Sequence, residues 1–360
     1  MGLPLHAYIR RKIKDGADAL LKFFFPMHLC HDPIPTESIH RILVIRLNYR
    51  IGNILFTTPL LRALEQRFPH ATIDVLMGAA YPSSLIQGLP NVEKVFDFPR
   101  KLLKHPLQAY RYIRQLRTTH YDLILNPNSG SASDRGATWL ARGTYKLGFE
   151  TATNWSPLTH AIEAPDGETH EALKALKLMQ AFGNHSNDFP QRMDIALSAQ
   201  ERFNANVELK KRLALQGVTL EDGGIMIGIF RDARFEKKIE TLWWSAWYEA
   251  MRTLHPNALF IDILSPEVTQ PLNETVCTLN ESNLRKLGGL LSQMDLFVCG
   301  DTGPMHLATA SMVPTVALFK SSAPILYGTL GKQNLSLVIA NRPPEEIATL
   351  VTTHLKRVVH

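Results

Sequence analysis

The feature of this sequence that most constrains its fold is a regular alternation of short, mainly apolar runs with amphipathic stretches. The run RILVIRL (residues 41–47) lacks the polar/apolar alternation of a half-exposed strand and is typical of a parallel strand buried on both faces. It is followed by a helix pattern over residues 58–69, with Pro59 in the first turn and Pro69 past the end. The succession continues to the run YDLILNPN (121–128) and predicts a parallel sheet with helices on both faces.

A second alternation of the same kind begins at GIMIGIF (224–230) and continues to a closing helix pattern over residues 343–359. Between the two alternations lies a polar helical stretch (196–217), which predicts a bridge between two lobes. A chain of 360 residues also exceeds what a single hydrophobic core usually holds. The sequence therefore predicts an α/β protein with two doubly wound, Rossmann-like lobes that face each other across a cleft. The ligand should lie in that cleft, at the carboxyl ends of the strands.

The expected boundaries follow from these patterns. They are an N-terminal basic amphipathic helix with its linker (1–38), a first lobe (39–195), an interlobe linker helix (196–220) and a second lobe (221–360).

Residues 5–25 combine a basic half with an apolar half at helical spacing. Two interpretations are open: a helix that lies on an anionic membrane surface, and a helix that packs on the body of the protein. No run reaches the length of a transmembrane helix. The apolar patch LLKFFFP (20–26) is short and interrupted by Lys22, which is untypical of a signal peptide. We therefore expect a cytoplasmic protein, with peripheral contact at the inner face of the cytoplasmic membrane under the first interpretation.

The charge balance and the cysteines restrict the function further. A net charge of +6 and a pI of about 9.2 favour anionic partners such as nucleotides, phosphorylated glycolipids or membrane surfaces. RNA binding would need a dense basic stripe interleaved with aromatics, which we do not find, so no nucleic-acid partner is expected. The three cysteines, Cys30, Cys277 and Cys299, have no CxxC spacing, which argues against a disulfide scaffold or a zinc site.

The stretch VCGDTGPMHLATASMV (298–313) has the pattern of an anion-binding turn. A strand ends at Asp301, and Thr302–Gly303 lead into a helix, whose free N–H groups and dipole attract phosphate. Gly303 lets a ligand approach the backbone closely, and His306 can reach the same anion or a neighbouring sugar. The alternative is that Asp301 and Thr302 only cap the helix. These residues alone favour neither interpretation.

The continuation carries a family resemblance. DTGPMHLATASMVPTVALF (301–319) resembles the donor-site signature of the ADP-heptose:lipopolysaccharide heptosyltransferases, glycosyltransferase family 9. Residues 41–76 are similar to the first strand, loop and helix of that family, and YDLILNPNSGSAS and THEALKALKLM follow in its order. The resemblance extends over roughly residues 40 to 345. It implies a GT-B fold with an N-terminal acceptor lobe and a C-terminal nucleotide-sugar lobe. It also implies inversion at the anomeric carbon, no cofactor, no bound metal, and transfer of heptose from ADP-heptose to the lipopolysaccharide inner core.

The resemblance also implies the donor site. Asp301, Thr302, Gly303 and His306 would hold the diphosphate and the sugar. A Lys precedes an aromatic-rich helix in the family, and Lys237 is our assignment for it. Without a metal, only Lys, Arg and helix N–H groups can stabilise the charge of the departing diphosphate. The alternatives are Lys238 for the same role and a merely solvated charge run, EKK (236–238). Further donor-site candidates are Arg231, Arg234 and, for the adenosine ribose, Glu267.

The first loop departs from the family pattern at Asn53. The family has an Asp directly after a Gly, and this residue is its general base, whereas here the pair is Gly52–Asn53. A neutral amide cannot usefully accept a proton near pH 7, and loss of a general base typically costs roughly 100- to 10,000-fold in rate. Asn53 could orient the acceptor, or could be a helix cap. Candidate substitute bases are His170 and Glu171, in a segment whose alternative role is helix capping; Asp97 and Asp134 follow.

The basic residues of the same loop suit an anionic acceptor. Arg46 and Arg50 follow the first strand, and guanidinium groups pair with carboxylates and phosphates; the alternative is that their stems cover the sheet edge. Gly52 is expected to let the loop turn tightly. Residues 126–136 are predicted to be a polar loop that adapts to a sugar, with Arg135 and Arg142 extending the positive surface.

Together these features predict an inverting, metal-independent glycosyltransferase that acts on a lipopolysaccharide inner-core or related lipid-linked acceptor. The rival hypothesis is a non-catalytic or altered-mechanism relative that binds a nucleotide sugar or glycan, because Asn53 stands in place of the catalytic Asp. A dinucleotide oxidoreductase is disfavoured, because RLNYRIGN (46–53) lacks the G-x-G-x-x-G spacing.

Overall fold

Two six-stranded parallel sheets with the same strand order form the frame of the protein. The computed structural model describes residues 16, 19–23, 29–30, 32–48, 50–78, 83–98, 105–151, 155–218 and 224–359. Counted within each sheet, the order is 3-2-1-4-5-6, and all ten strand pairings are parallel. In this doubly wound arrangement, ligands bind at the carboxyl ends of the strands, where the order reverses.

The first sheet is built around β1, whose four inner residues are fully buried between β2 and β4. Its elements are β1 (Arg41–Arg46), α1 (Ile51–Leu55), α2 (Thr58–Arg67), β2 (Thr72–Met77), β3 (Val92–Asp97), α3 (Pro106–Leu116), β4 (Tyr121–Asn126), α4 (Ala132–Leu140), β5 (Gly143–Phe149) and β6 (His160–Ile162). The strand and helix patterns of residues 41–128 are thus confirmed. Strand β5, which has seven residues and lies between β4 and β6, and the short edge strand β6 were not predicted.

Three predictions for the first half were wrong. Residues 126–136 do not form one adaptable loop, because Ser131 accepts a hydrogen bond from the backbone N–H of Asp134 and caps α4. Arg135 lies on that helix with its guanidinium buried and donating to the carbonyl of Gly130, so it does not extend the positive surface. The amphipathic pattern of residues 168–183 predicts an α-helix that ends at Gly183, but the structure has a 3-10 helix, Lys174–Phe182, with Gly183 at its C-cap.

The second sheet follows the linker helix α5 (Ala199–Ala214), which starts with a reciprocal cap between Ser198 and Glu201. Its elements are β7 (Met226–Phe230), α6 (Thr241–Leu254), β8 (Leu259–Ile263), β9 (Cys277–Leu279), α7 (Leu284–Leu291), β10 (Leu296–Gly300), α8 (Gly303–Ala310), β11 (Thr315–Phe319), α9 (Pro324–Tyr327), β12 (Leu335–Val338) and α10 (Pro344–Val359). The sequence patterns predicted these elements except β9, α9 and β12.

The two lobes touch on both sides of the cleft. On the cleft side, α1 of the first lobe packs against α8 of the second. On the linker side, the Arg285 guanidinium on α7 donates to the backbone carbonyls of Ser84, Ile195 and Ala196 and to the Glu201 carboxylate. One side chain therefore ties the second lobe to the first lobe and to the linker.

The predicted N-terminal helix (5–25) lies mostly outside the described residues. Within this range the structure describes residues 16 and 19–23, which are helical. Among the described residues, every helix is too short or too polar to cross a bilayer.

Candidate active site

The start of α8 is an uncapped helix end at the carboxyl edge of the second sheet. Its N-cap residue, Thr302, makes no capping hydrogen bond, and its hydroxyl donates back to the carbonyl of Gly300 at 3.5 Å. Asp301 does not cap the helix either, because its Oδ2 accepts from Lys237 and Ser322. The first N–H groups of α8 therefore have no side-chain cap, which favours the anion-binding interpretation of this turn over capping.

A lysine points to the same helix start. Lys237 lies at the end of a 3-10 turn after β7, and its Nζ is 2.7 Å from Asp301 Oδ2 and 5.9 Å from the centre of the Tyr327 ring. Its side chain is 37% exposed, so solvent and ligands can reach it. The neighbouring Lys238 is exposed, and its backbone carbonyl accepts from Lys320. The geometry thus places Lys237, and not Lys238, beside the uncapped helix.

Sequence reasoning missed two groups in this cluster, Ser322 and Tyr327. Both follow β11, in the segment KSSAPILY (320–327). The signal was available, because β11 is a parallel strand and the residues after its carboxyl end meet those after β10 at the same edge of the sheet.

His306 is buried at the boundary between the lobes. It is 6% exposed, and its ring packs edge-on against Phe56 of the first lobe with 4.7 Å between ring centroids. Its Nδ1 is buried without a hydrogen-bond partner among the described residues. Burial lowers the pKa of His306 to about 3, although Asp301 opposes this shift. The imidazole is therefore neutral and can serve a ligand as a hydrogen-bond partner, but not as a cation.

The structure requires a glycine at position 52 for a different reason than the tight turn expected from the sequence. It lies within α1, in helical backbone, and makes no tight turn. A Cβ on Gly52 would lie 2.8 Å from Cδ2 of His306. The missing side chain therefore allows α1 and α8 to approach across the cleft.

A polar cavity of about 370 Å³ opens in the first lobe at the carboxyl ends of β1, β4 and β5. Its lining includes Arg46, Thr57, Asn128, Glu171 and Lys174. Burial lowers the pKa of Arg46, and the nearby carboxylates of Asp134 and Glu171 oppose the shift. Two basic side chains and several polar groups thus line a space large enough for part of a sugar. Arg50, by contrast, is exposed and precedes α1 outside this lining.

Comparison with known proteins gives similarity to one family of glycosyltransferases. Residues 264–351, which include the turn at 301–306, match the sequence model described as Glycosyltransferase family 9 (heptosyltransferase). Lipopolysaccharide heptosyltransferase 3 of Escherichia coli (strain K12) is 24% identical over 295 residues, which are 74% of this chain and 79% of that protein.

Over these residues and over the relative's aligned length, the chain is similar to glycosyltransferase family 9. These similarities indicate that it is a glycosyltransferase.

Solved structures show the same fold. A glycosyl transferase family 9 protein from Veillonella parvula DSM 2008 superposes with a TM-score of 0.75 and 18% identity, over 88% of this chain and 97% of that one. The E. coli heptosyltransferase WaaC with ADP gives a TM-score of 0.69 and 18% identity, over 88% and 99%. The expected GT-B fold is confirmed.

Asn53, which the resemblance aligns with an expected catalytic Asp, lies in the middle of α1. Asn53 is half-buried, and its backbone carbonyl accepts from the hydroxyl of Thr57 at 3.3 Å. The residue at the N-cap of α1 is Arg50, so Asn53 is not a helix cap. The side-chain amide can therefore hydrogen-bond the hydroxyl of an acceptor substrate but cannot take the proton from it.

Of the two candidate substitute bases, the geometry argues against His170. Its Nε2 lies 3.0 Å from the carbonyl of Gly328 in the second lobe, and its Nδ1 accepts from the backbone N–H of Ala172 at 3.1 Å. Both ring nitrogens are therefore occupied in the neutral form, and burial lowers the pKa of the ring. His170 links the two lobes and has no free lone pair for a substrate proton.

The side chain of Glu171, unlike that of His170, faces the first-lobe cavity. Its carboxylate lines the first-lobe cavity and accepts from Lys174 Nζ at 2.5 Å, and its backbone N–H donates to Leu326 of the second lobe. It precedes the 3-10 helix by several residues and does not cap it. The other two carboxylates do not line this cavity: Asp134 is 1% exposed and lies near Arg46, and Asp97 ends the edge strand β3.

The three further donor-site candidates have different surroundings. Arg231 is buried in a fork with the Asp262 carboxylate, at 2.6 Å for the shortest contact, and also donates to the carbonyl of Gln270. Its charge is neutralised there, so it is not free for a diphosphate. Glu267 is exposed in the segment that Arg231 holds, after the carboxyl end of β8, and Arg234 is exposed next to the 3-10 turn.

Within the described ranges, no three His, Cys, Asp or Glu side chains lie close enough together to bind a metal ion.

Proposed function

We propose that this glycosyltransferase moves a heptose from ADP-heptose to a lipopolysaccharide inner-core or related lipid-linked acceptor, at the inner face of the cytoplasmic membrane. We further propose that the transfer inverts the anomeric configuration and needs no metal. The names of two relatives support the substrates: one is a lipopolysaccharide heptosyltransferase, and another was solved with ADP.

The observation that carries the proposal is the cluster at the start of α8. An uncapped helix end attracts an anion, and the Lys237 ammonium lies beside it. The ammonium has three donors, and its bond to Asp301 leaves two for a phosphate. As the bond to the sugar breaks, negative charge grows on the diphosphate, and these groups stabilise it without a metal. The ionised Asp301 carboxylate has hydrogen-bond acceptors but no donor. It would position Lys237 and accept hydrogen bonds from sugar hydroxyls.

The acceptor would occupy the first-lobe cavity. Arg46 and Lys174 line it and suit the phosphates and carboxylates of an inner-core sugar. The leaving diphosphate and the acceptor would then lie in opposite lobes, which fits attack from the face opposite the leaving group. We propose Glu171 as the base, because its carboxylate faces the cavity while the amide of Asn53 cannot accept the proton.

Asn53 also supports a second candidate function, a nucleotide-sugar or glycan binder without transferase activity. The two candidates differ in a measurement on the wild-type chain: both bind ADP, but only the first forms product.

The test is a transfer assay with purified protein, ADP-heptose and an inner-core acceptor in the presence of EDTA. We expect product with inverted configuration by NMR. Lys237→Ala should lower kcat about 100- to 1,000-fold, the range for removal of one donor to a developing oxyanion. Lys238→Ala is the matched control, since that exposed neighbour should leave kcat nearly unchanged.

Three results would contradict parts of this proposal. Product formation that requires an added divalent ion would exclude the metal-free mechanism. Equal losses of kcat in the two lysine variants would exclude Lys237 as a donor-site residue. A thermal-shift preference for UDP or GDP over ADP would exclude ADP-heptose, because ligand binding stabilises the fold by mass action.

A further inference from the structure

One segment of the sequence after β3 is strongly basic. Residues 98–121 contain six Lys and Arg residues and no Asp or Glu, and the net charge of the whole chain is +6. The remaining 336 residues therefore carry equal numbers of acidic and basic side chains. Such a segment attracts anionic surfaces.

Helix α3 arranges part of this segment as an exposed stripe. Leu107 is 77% exposed and Tyr110 is 64% exposed, although both are large and apolar or aromatic. Arg111, Arg114 and Arg117 are exposed as well. Steps of three or four residues along a helix lie on one face, so these five side chains form a single stripe, apolar at its N-terminal end and basic at its C-terminal end.

The opposite face of α3 is already occupied. Tyr112, Ile113 and Leu116 turn inward and line an apolar cavity of about 460 Å³ together with Leu47. The stripe is therefore not the side by which α3 packs on the first lobe. Exposed apolar residues next to basic ones, with no acidic residue between them, are typical of helices that lie in a membrane interface.

The stripe also has a defined position relative to the acceptor cavity. A helix that connects parallel strands runs back along the sheet, so the N-terminal end of α3, with Leu107, lies at the carboxyl edge of the first sheet. The first-lobe cavity opens at that same edge, and Arg46 in its lining is adjacent to Leu47 beneath α3.

We infer that the exposed stripe of α3 docks on an anionic lipid bilayer. Leu107 and Tyr110 enter the interface between headgroups and acyl chains, and the three arginines bind headgroup phosphates. The stripe lies in a different part of the sequence from the N-terminal segment. The inference does not depend on which sugar the enzyme transfers. Docking at this helix would bring the acceptor cavity to the membrane surface.

The test is cosedimentation of the full-length protein with phosphatidylcholine vesicles that contain or lack phosphatidylglycerol. We expect binding only to the anionic vesicles, weakening as salt rises. Each Arg→Gln change in α3 should weaken the partition coefficient about 5-fold, and the triple variant about 100-fold. Leu107→Ser with Tyr110→Ser should also weaken binding, at unchanged net charge.

Matched controls separate docking at α3 from general charge. The triple variant Lys210→Gln, Lys211→Gln, Lys356→Gln removes the same charge from exposed positions elsewhere and should bind nearly as wild type. Neutralising Arg10, Arg11, Lys12 and Lys14 tests the N-terminal segment in the same way.

Three outcomes would overturn the inference. The first is equal loss of binding in the α3 variant and the Lys210 control. The second is loss of binding in the N-terminal variant with none in the α3 variants. The third is binding to single-stranded RNA, but not to anionic vesicles, at the same salt.

Discussion

Replacing Gly52 by Ala tests whether the two lobes meet in solution as they do in this structure. The new Cβ would lie 2.8 Å from Cδ2 of His306, whereas carbon atoms in contact prefer about 3.5–4.0 Å. His306 cannot easily turn away, because it is buried and packed against Phe56. Helices α1 and α8 must therefore separate by several tenths of an ångström.

Two opposing effects set the size of the change. Overpacking costs about 1–3 kcal/mol, and replacing Gly by Ala in a helix gains about 1 kcal/mol. Gly52→Ala should thus be neutral to about 2 kcal/mol less stable, by the same two principles. Gly136→Ala is the matched control, since Gly136 lies within α4 with nothing within 4 Å of the new Cβ, and it should gain the full propensity term of about 1 kcal/mol.

Urea unfolding with and without ADP measures the difference, which we expect to be about 1–3 kcal/mol between the variants. Transfer should also slow, by about 10- to 100-fold in kcat/KM, because His306 shifts at the start of α8. If Gly52→Ala is stabilised as much as Gly136→Ala in both conditions, α1 and α8 do not touch in solution and the reasoning fails.

Three further predictions follow from the site and the linker. Glu171→Gln should lower kcat by about 100-fold or more in the transfer assay, while Glu150→Gln, at an exposed position of the same cavity, should change kcat little; equal effects would exclude Glu171 as base. Burial holds the pKa of His306 at about 3 against 6.5 in the unfolded chain, so the unfolded state binds more protons between these values and stability falls as pH drops through this window. His306→Asn should reduce the pH dependence of the free energy of unfolding, measured with urea at pH 7 and pH 5, by up to about 1.4 kcal/mol per pH unit. The same pH dependence in wild type and variant would show that the ring is not buried as a neutral group. Arg285→Ala should destabilise the chain by about 2–3 kcal/mol in the same measurement, with exposed Lys286→Ala as the near-neutral control; a small loss would mean that the linker-side contact is not formed.

Much of the fold could be predicted because the information is local. Continuous apolar runs with intervening amphipathic stretches specify buried parallel strands and crossover helices, and Pro59 and Gly183 end or begin elements where they were expected to. The missed elements are short or polar. The edge strand β6 and the helix α9 have only 3 and 4 residues, too few to show a period. Helix α4 was hidden in a run of small polar residues whose cap, Ser131, resembles a loop residue.

The candidate site was predictable in part for the same reason. Asp301, Thr302, Gly303 and His306 are neighbours in the chain, so their pattern already offered an anion-binding turn as one of two interpretations. Lys237 could be named as a candidate only through the family resemblance, since 64 residues separate it from Asp301. The role of His170 could not be predicted, because its partner Gly328 is 158 residues away in the other lobe.

The sequence by itself determined the two doubly wound lobes, the strand-to-helix turn at residues 301–306 and the presence of an amide rather than a carboxylate at position 53. Each of these depends on residue types at short spacing along the chain. Only the tertiary structure decided which groups face one another across the cleft. In the folded protein, both ring nitrogens of His170 are hydrogen-bonded and Glu171 lines the first-lobe cavity. Gly52 lies against His306, and one stripe of α3 is exposed. These outcomes depend on how two lobes pack, and the packing follows from the combined fit of distant surfaces, which no local pattern records.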